Sequence, residues 1–163
     1  MMRLYRLVRI TSADYRDYRR TRAKVEYSYF PKGQEKPMIA SVIRKITESE
    51  IPGKGEFLDL VEKDKNAFYF LKDDDEIKGI AELIFTDAEQ LCDICEFAVL
   101  QHGEGLGTIL YQEVLKVIKE RRATKILLWC PFEGAQIFWR KMGFRVKEVL
   151  SSERGFIFGK RVR

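Results

Sequence analysis

The segment His102-Gly103-Glu104-Gly105-Leu106-Gly107-Thr108 follows an apolar stretch with strand alternation and opens one with helical spacing. Glycines placed this way leave backbone N–H groups clear of side chains, and the following helix adds the positive end of its dipole. Such a loop suits a phosphate or pyrophosphate. The same glycines also suit a tight turn that binds nothing, and spacing alone leaves both readings open. Two better-known phosphate loops do not fit. A Walker loop ends in Gly-Lys-Ser/Thr, whereas Gly107 is followed by Thr108 and Ile109. A dinucleotide fingerprint needs glycine where Thr108 stands and an acid closing the next strand, yet that strand, Lys125 to Cys130, ends in none.

Just upstream, Cys92-Asp93-Ile94-Cys95 has the Cys-x-x-Cys spacing that serves redox and zinc sites when the pair sits on a turn or at a helix start. Here it falls inside a strand, where residues three apart point to opposite faces. No second Cys or His pair accompanies it. Cys92, Cys95 and Cys130 read as small core residues, and no metal is expected.

Positioning these residues falls to a chain of 163 residues, 45% hydrophobic, with 11 Phe, 7 Tyr and 2 Trp. That is enough for one self-sufficient core, and a single domain over residues 1–163 is expected. The odd cysteine count and the lack of an apolar leader behind Arg3 and Arg6 point to a reduced, cytoplasmic protein. No apolar run approaches the roughly 20 residues that cross a bilayer. The net charge of +5 is uneven: residues 1–24 hold eight basic and two acidic residues, so the rest of the chain carries −1. Such a bias can mark a nucleic-acid face, but arginines spread around a helix more often form a solvated surface, and nucleic acid is not expected.

Leu4 to Ile10 alternate as a first strand, and Thr11-Ser12 with Asp14 caps a helix. Tyr15, Tyr18, Arg22, Val25 and Tyr29 carry that helix to Pro31, and Pro37 to about Glu50 reads as a second. Pro52-Gly53-Lys54-Gly55 reads as a breaker. Ala67–Leu71 and Ile77–Phe85 flank the acidic turn Asp73-Asp74-Asp75 as a hairpin, and Leu91–Val99 forms the strand before the glycine loop. Leu106, Ile109, Leu110, Val114, Val117 and Ile118 trace one face of a long helix. Lys125–Cys130 is a buried strand, a short helix carries Ala135, Phe138 and Trp139 as far as Gly143, and Phe144–Leu150 and Gly155–Val162 close the fold as an antiparallel pair. The fold class is α/β, with a mixed, mostly antiparallel central sheet flanked by helices.

Three segments resemble the GNAT superfamily of acyl-CoA-dependent N-acetyltransferases. His102-x-x-Gly105-x-Gly107 is similar to its phosphate loop, Gln/Arg-x-x-Gly-x-Gly/Ala. Ala135-Gln136-Ile137-Phe138-Trp139-Arg140-Lys141-Met142-Gly143-Phe144 resembles its Ala-x-x-Phe-Tyr-x-Lys-x-Gly-Phe, and Glu96-Phe97-Ala98-Val99 is similar to the end of its central strand. The motifs span about Ala81 to Phe144. His102 stands at the Gln/Arg position, Glu104 brings an acid to the loop, Phe132 stands where the family often has a cofactor-contacting Asn, and Trp139 replaces the Tyr that frequently protonates the departing thiolate there.

The resemblance implies acetyl-CoA as co-substrate and a primary amine as acceptor, most simply that of a small molecule. A protein N-acetyltransferase and a non-catalytic acyl-CoA-binding or regulatory domain are the alternatives, and a homodimer is admitted. It implies a central strand that splays from the next, with an exposed N–H near Ala98 or Val99 polarising the thioester carbonyl. Phe97, Ala98, Val99, His102, Gly103, Gly105, Leu106, Gly107, Thr108, Ala135, Phe138 and Trp139 would line the acetyl-CoA side. Glu96 is the first choice of general base and Asp93 the second; the two fall on opposite strand faces unless a bulge intervenes. The first two helices would wall the acceptor site, offering Glu26, Tyr27, Tyr29 and Phe30, with Glu26 the nearby acid.

Overall fold

The apolar alternation read along the chain becomes one seven-stranded sheet in a computed structural model that describes residues 4–28, 52–62, 66–130, 133–151 and 155–162. The strands are β1 (Tyr5–Arg9), β2 (Asn66–Asp73), β3 (Glu76–Thr86), β4 (Leu91–Val99), β5 (Lys125–Cys130), β6 (Arg145–Ser151) and β7 (Gly155–Arg161). Their order is β1-β2-β3-β4-β5-β7-β6, and only the β4–β5 pair runs parallel. The sheet is therefore mixed and mostly antiparallel. β7 lies between β5 and β6, so the closing pair joins the sheet through its second strand.

Helix α1 (Tyr15–Ser28) follows a short 3-10 turn, Ser12–Asp14. The Thr11 N–H and hydroxyl both donate to Asp14 Oδ2, at 2.7 and 3.1 Å, which fixes where the chain leaves β1. Tyr18 and Val25 are buried, as their helical spacing requires. The helix read over Pro37–Glu50 lies outside the described residues. Where Pro52-Gly53-Lys54-Gly55 reads as a breaker, the structure instead starts a helix, α2 (Lys54–Glu62). Pro and Gly are tolerated at a helix start because the first N–H groups have no intrahelical partner. The Phe57 N–H already donates to Gly53 O at 2.9 Å.

The two sheet faces bury different cores. One carries α3 (Leu106–Glu120) and α4 (Glu133–Lys141) over Leu83, Ile94, Ile126 and Phe158. The other carries α1 and α2 over Phe68, Phe70, Ile80 and Ala98. Both α3 and α4 end on cationic turns, with Lys119 in one and Arg140 and Lys141 in the other, where the dipole favours them. Among the described residues no helix is long and apolar enough to cross a membrane.

Phe57 binds the second core together. It is fully buried, with its ring 4.8 Å from Tyr18 and 5.2 Å from Tyr15. Phe57→Ala is expected to lower the unfolding free energy by about 3–5 kcal/mol, read from urea denaturation. A change below 1 kcal/mol would show that α2 is not anchored through this ring.

Candidate active site

Strand β4 changes its partners and its parity part-way along. Its parallel pairing with β5 runs from Leu91↔Lys125 to Ile94↔Leu128 and stops there, so the two strands part beyond Ile94. Opposite β3, Leu83 pairs with Ile94 but Glu82 pairs with Glu96, which leaves Cys95 as an extra residue. A bulge of this kind moves every following side chain to the other face. Cys92 and Ile94 face the α3–α4 core, and after the bulge Phe97 and Val99 do so too. Asp93 and Glu96 thus share the α1 face, the outcome that a regular strand forbids. Cys95 is exposed, so the expectation of a core residue holds for Cys92 and Cys130 but fails for Cys95. Burial pushes the Cys92 thiol up to about 12, which keeps it protonated and inert.

The parting opens a cleft of about 740 Å³. Phe97, Ala98 and Val99 form its β4 wall, loop residues 101–103 and 105–108 its mouth, and Ala135, Phe138 and Trp139 its α4 wall. All twelve residues named for the acetyl-CoA side line this one cleft. Sequence reasoning missed Gln101, Gly134, Ile137, Lys141 and Met142, which also line it; helical spacing from Phe138 would have found Gly134, Lys141 and Met142. Phe132 lies outside the described residues.

Loop geometry follows from its glycines. Gly103 and Gly105 take φ of 85° and 75°, a region that L side chains avoid, and a Cβ on either would meet nothing within 4 Å. Gly107 differs: it has an ordinary φ, and a Cβ there would stand 3.1 Å from the Phe138 ring. Its glycine lets α3 approach α4. The first turn of α3 starts at Gly105, whose carbonyl accepts the Ile109 N–H at 3.2 Å. Among the described residues no hydrogen bond takes the N–H groups of residues 101–108. Those of Leu106, Gly107 and Thr108 stand at the N-terminus of α3, where an anion fits. His102 and Glu104 are both exposed.

Backbone donors also line the wedge. The Leu100 N–H donates to Lys78 O at 2.9 Å, across to β3. Alternation along an antiparallel strand then turns the N–H groups of Phe97 and Val99 away from β3, to the side that β5 has left. The α4 wall is rigid: Trp139 is buried, its ring 4.8 Å from Phe97, 4.9 Å from Phe138, 5.1 Å from Phe144 and 6.1 Å from Tyr111. Behind it, Lys160 Nζ donates to Met142 O at 2.7 Å and to the Tyr111 hydroxyl at 3.2 Å.

On the other face of β4, Glu96 Oε2 lies 2.7 Å from Arg22 Nη1, both side chains 14% exposed. The same Arg22 nitrogen donates to the Tyr18 hydroxyl at 3.0 Å. Burial pushes Tyr18 up to about 12, with Arg22 opposing, so it remains a phenol. Two groups here escaped the sequence reading, Arg22 as a partner and Glu82 as the residue opposite Glu96, because cross-strand register is not a local signal. Burial raises the Glu82 carboxyl, again with Arg22 opposing. Burial and then Glu89 raise Asp93. The side chains of Glu26, Tyr27, Tyr29 and Phe30 lie outside the described residues. Among the described residues no cluster of His, Cys, Asp and Glu could hold a metal.

Residues 34–144 match the Acetyltransferase (GNAT) family. The chain belongs to the GNAT acetyltransferase family. Solved structures repeat its fold over nearly their whole length. The PaiA N-acetyltransferase from Thermoplasma acidophilum in complex with coenzyme A superposes with a TM-score of 0.76 at 16% identity, covering 98% of this chain and 99% of that one. The ribosomal-protein-S18-alanine N-acetyltransferase from Escherichia coli gives 0.67 at 11%, covering 98% and 94%. Ard1 from Thermoplasma volcanium gives 0.62 at 15%, covering 98% of each chain. At these identities the likeness is one of fold. No curated protein matches the chain in sequence.

Trp139 and the loop supply separate tests. Trp139→Ala removes the ring that touches Phe97, Phe138 and Phe144, and is expected to cost about 3–5 kcal/mol in urea denaturation, whereas Trp139→Phe keeps most of it. Gly105→Val should leave the fold soluble and weaken coenzyme A binding at least tenfold by calorimetry, because φ of 75° excludes a β-branched residue. Unchanged affinity in Gly105→Val would remove the loop from the binding site.

Proposed function

We propose that this GNAT protein is an N-acetyltransferase that moves the acetyl group of acetyl-CoA to a primary amine of a small molecule. The observation that carries the reading is the wedge between β4 and β5, a cleft with a donor-rich loop at its mouth and outward N–H groups along one wall. The coenzyme A bound to the fold neighbour PaiA supports the choice of donor.

Acetyl-CoA supplies the thioester; the protein supplies position and charge. The N–H groups at the start of α3 would hold the pyrophosphate, with Gly103 and Gly105 keeping Cβ atoms away from it. Phe97, Phe138 and Trp139 would flank the pantetheine arm. The outward N–H of Val99 or Phe97 would polarise the carbonyl, as the resemblance near Ala98 and Val99 implies. The amine would enter from the α1 side, where Glu96 and Asp93 stand on β4. Trp139 has no proton to give in the useful range, so the departing sulfur takes its proton from elsewhere. A thiol pKa near 8.5 makes it a tolerable leaving group. The protein would act in the cytoplasm, where Cys92 and Cys95 stay reduced.

Thermal unfolding with acetyl-CoA and with CoA tests the donor. Each at a hundredfold its dissociation constant should add about 2.7 kcal/mol, and no shift at millimolar acetyl-CoA would sink the reading. An acetylation screen over polyamines, amino acids, aminoglycosides and peptides with free N-termini tests the acceptor. Binding without acetylation of any amine would favour the non-catalytic alternative. Preference for the peptides would favour a protein acceptor, which the ribosomal-protein enzyme of the same fold acts on.

A further inference from the structure

Two glutamates face each other across the β3–β4 ladder, one step beyond the bulge. Glu82 and Glu96 are register partners, and directly opposite residues hold their Cβ atoms about 4.5–5.5 Å apart. Two carboxylates so placed repel. Among the described residues the groups that share their field are Tyr18 and Arg22 of α1, and Asp93 and Cys95 of β4. Arg22 is the cation among them, and it lies 2.7 Å from Glu96. Glu82 makes no side-chain hydrogen bond or ion pair among the described residues.

Among the described residues the charges therefore do not balance on this face. Arg22 is ion-paired with Glu96 and only partly offsets the burial of Glu82, so two carboxylates share one described cation, a surplus of one negative charge. That surplus has two remedies, a proton or an incoming cation, and a protonated amine brings both. We propose that Glu82 accepts the proton of the acceptor amine, while the Arg22–Glu96 pair positions it by holding the surplus charge on Glu82. This rests on the N-acetyltransferase reading and reassigns the general base from Glu96 to a residue on the neighbouring strand. Burial raises the Glu82 carboxyl as well, with Arg22 opposing.

In the step, the Glu82 carboxylate takes one proton from R–NH3+ and leaves R–NH2. The nitrogen lone pair forms the C–N bond to the acetyl carbonyl carbon as the C–S bond breaks, and that electron pair goes to sulfur. The second nitrogen proton ends on sulfur, giving CoA–SH and the amide. Glu82 then returns its proton to water.

The test compares wild type, Glu82→Gln, Glu82→Asp and Glu96→Gln in acetylation of the panel amine that wild type turns over fastest, across pH 5–10. Glu82→Gln should lower kcat by roughly 10²–10⁴-fold and abolish the acid limb of kcat/KM, with the thermal shift given by CoA unchanged. Glu82→Asp should keep the limb at reduced rate. Glu96→Gln releases Arg22 toward Glu82, which favours the Glu82 carboxylate, so the acid limb should move to lower pH with kcat within about tenfold of wild type. Glu82→Gln within threefold of wild type and with its limb intact would overturn the assignment, as would loss of the limb in Glu96→Gln alone. A second arm needs no acceptor: carboxyl-13C glutamate NMR of the CoA-loaded protein. The resonance missing from Glu82→Gln should titrate above the ordinary glutamate range and shift down in Glu96→Gln. An ordinary titration, unmoved by Glu96→Gln, would overturn the assignment whether or not any amine is acetylated. The expected titration with no amine acetylated would defeat the N-acetyltransferase reading and this role with it.

Discussion

The parting of β4 from β5 is the constraint on which the site depends. Parallel pairing ends at Ile94 and Leu128, one residue before the bulge at Cys95. A bulge bends its strand and increases its twist, so β4 leans toward β3, with which it stays paired as far as Val99. β5 keeps its place because β7 pairs along all of it, from Lys125↔Arg161 to Cys130↔Phe156. The wedge is thus held open from both sides by ladders that continue past Ile94 and Leu128. The α3 N-terminus lies at its mouth because the loop that follows Val99 is short and rich in positive-φ glycine.

Packing around the wedge makes one wall stiff. Trp139 touches aromatic rings from β4, α3 and α4 and the ring of Phe144 just before β6, so the α4 wall cannot shift without disturbing the main core. Close packing of this kind transmits strain and resists deformation. Lys160 adds a tie from β7, since its ammonium lies 5.3 Å from the centre of the Tyr111 ring and binds the Met142 carbonyl where α4 ends. Gly107 sets the α3–α4 distance through its contact with Phe138. The start of α3 is therefore mounted on a fixed frame.

Local patterns in the sequence carried the loop side of this site and little of the other side. The strand over Leu91–Val99 runs toward the glycine loop, the helix from Leu106 starts in that loop and the strand over Lys125–Cys130 stops at Pro131; all three carry apolar patterns and appear where those patterns place them. Helix α2 went unseen because Pro52 and Gly53 break helices in their interior but not in their first turn; Phe57 and Val61, four apart, were the available signal. The bulge at Cys95 has no local mark at all. It exists because β3 and β4 must each bury their own apolar residues on both faces, and Leu83↔Ile94 and Ile80↔Ala98 cannot both be satisfied by a regular ladder. The sequence therefore left the shared face of Asp93 and Glu96 open, conditional on a bulge, and gave no sign of the Glu82 partnership that follows from it.

The arginine surplus of the N-terminal segment resolves into different duties. Arg6 and Arg9 donate to the backbone carbonyls of Asp74 and Asn66, at 3.5 and 3.1 Å, and so tie β1 to the ends of β2. Arg16, Arg19 and Arg20 are exposed on α1, as a solvated helix face requires. Arg22 alone of the α1 arginines reaches Glu96 across the second core. Burying such a pair costs several kcal/mol of desolvation per ion, and apolar residues of the same volume commonly serve stability as well or better. The surrounding core of Tyr18, Phe57, Phe68, Ile80 and Ala98 could supply that packing. Stability is therefore a weak reason for an ion pair at this position, and control of charge beside the wedge is the role proposed for it. A cation held against one of two opposed carboxylates makes them unequal, and two unequal carboxylates are what a proton-accepting site needs.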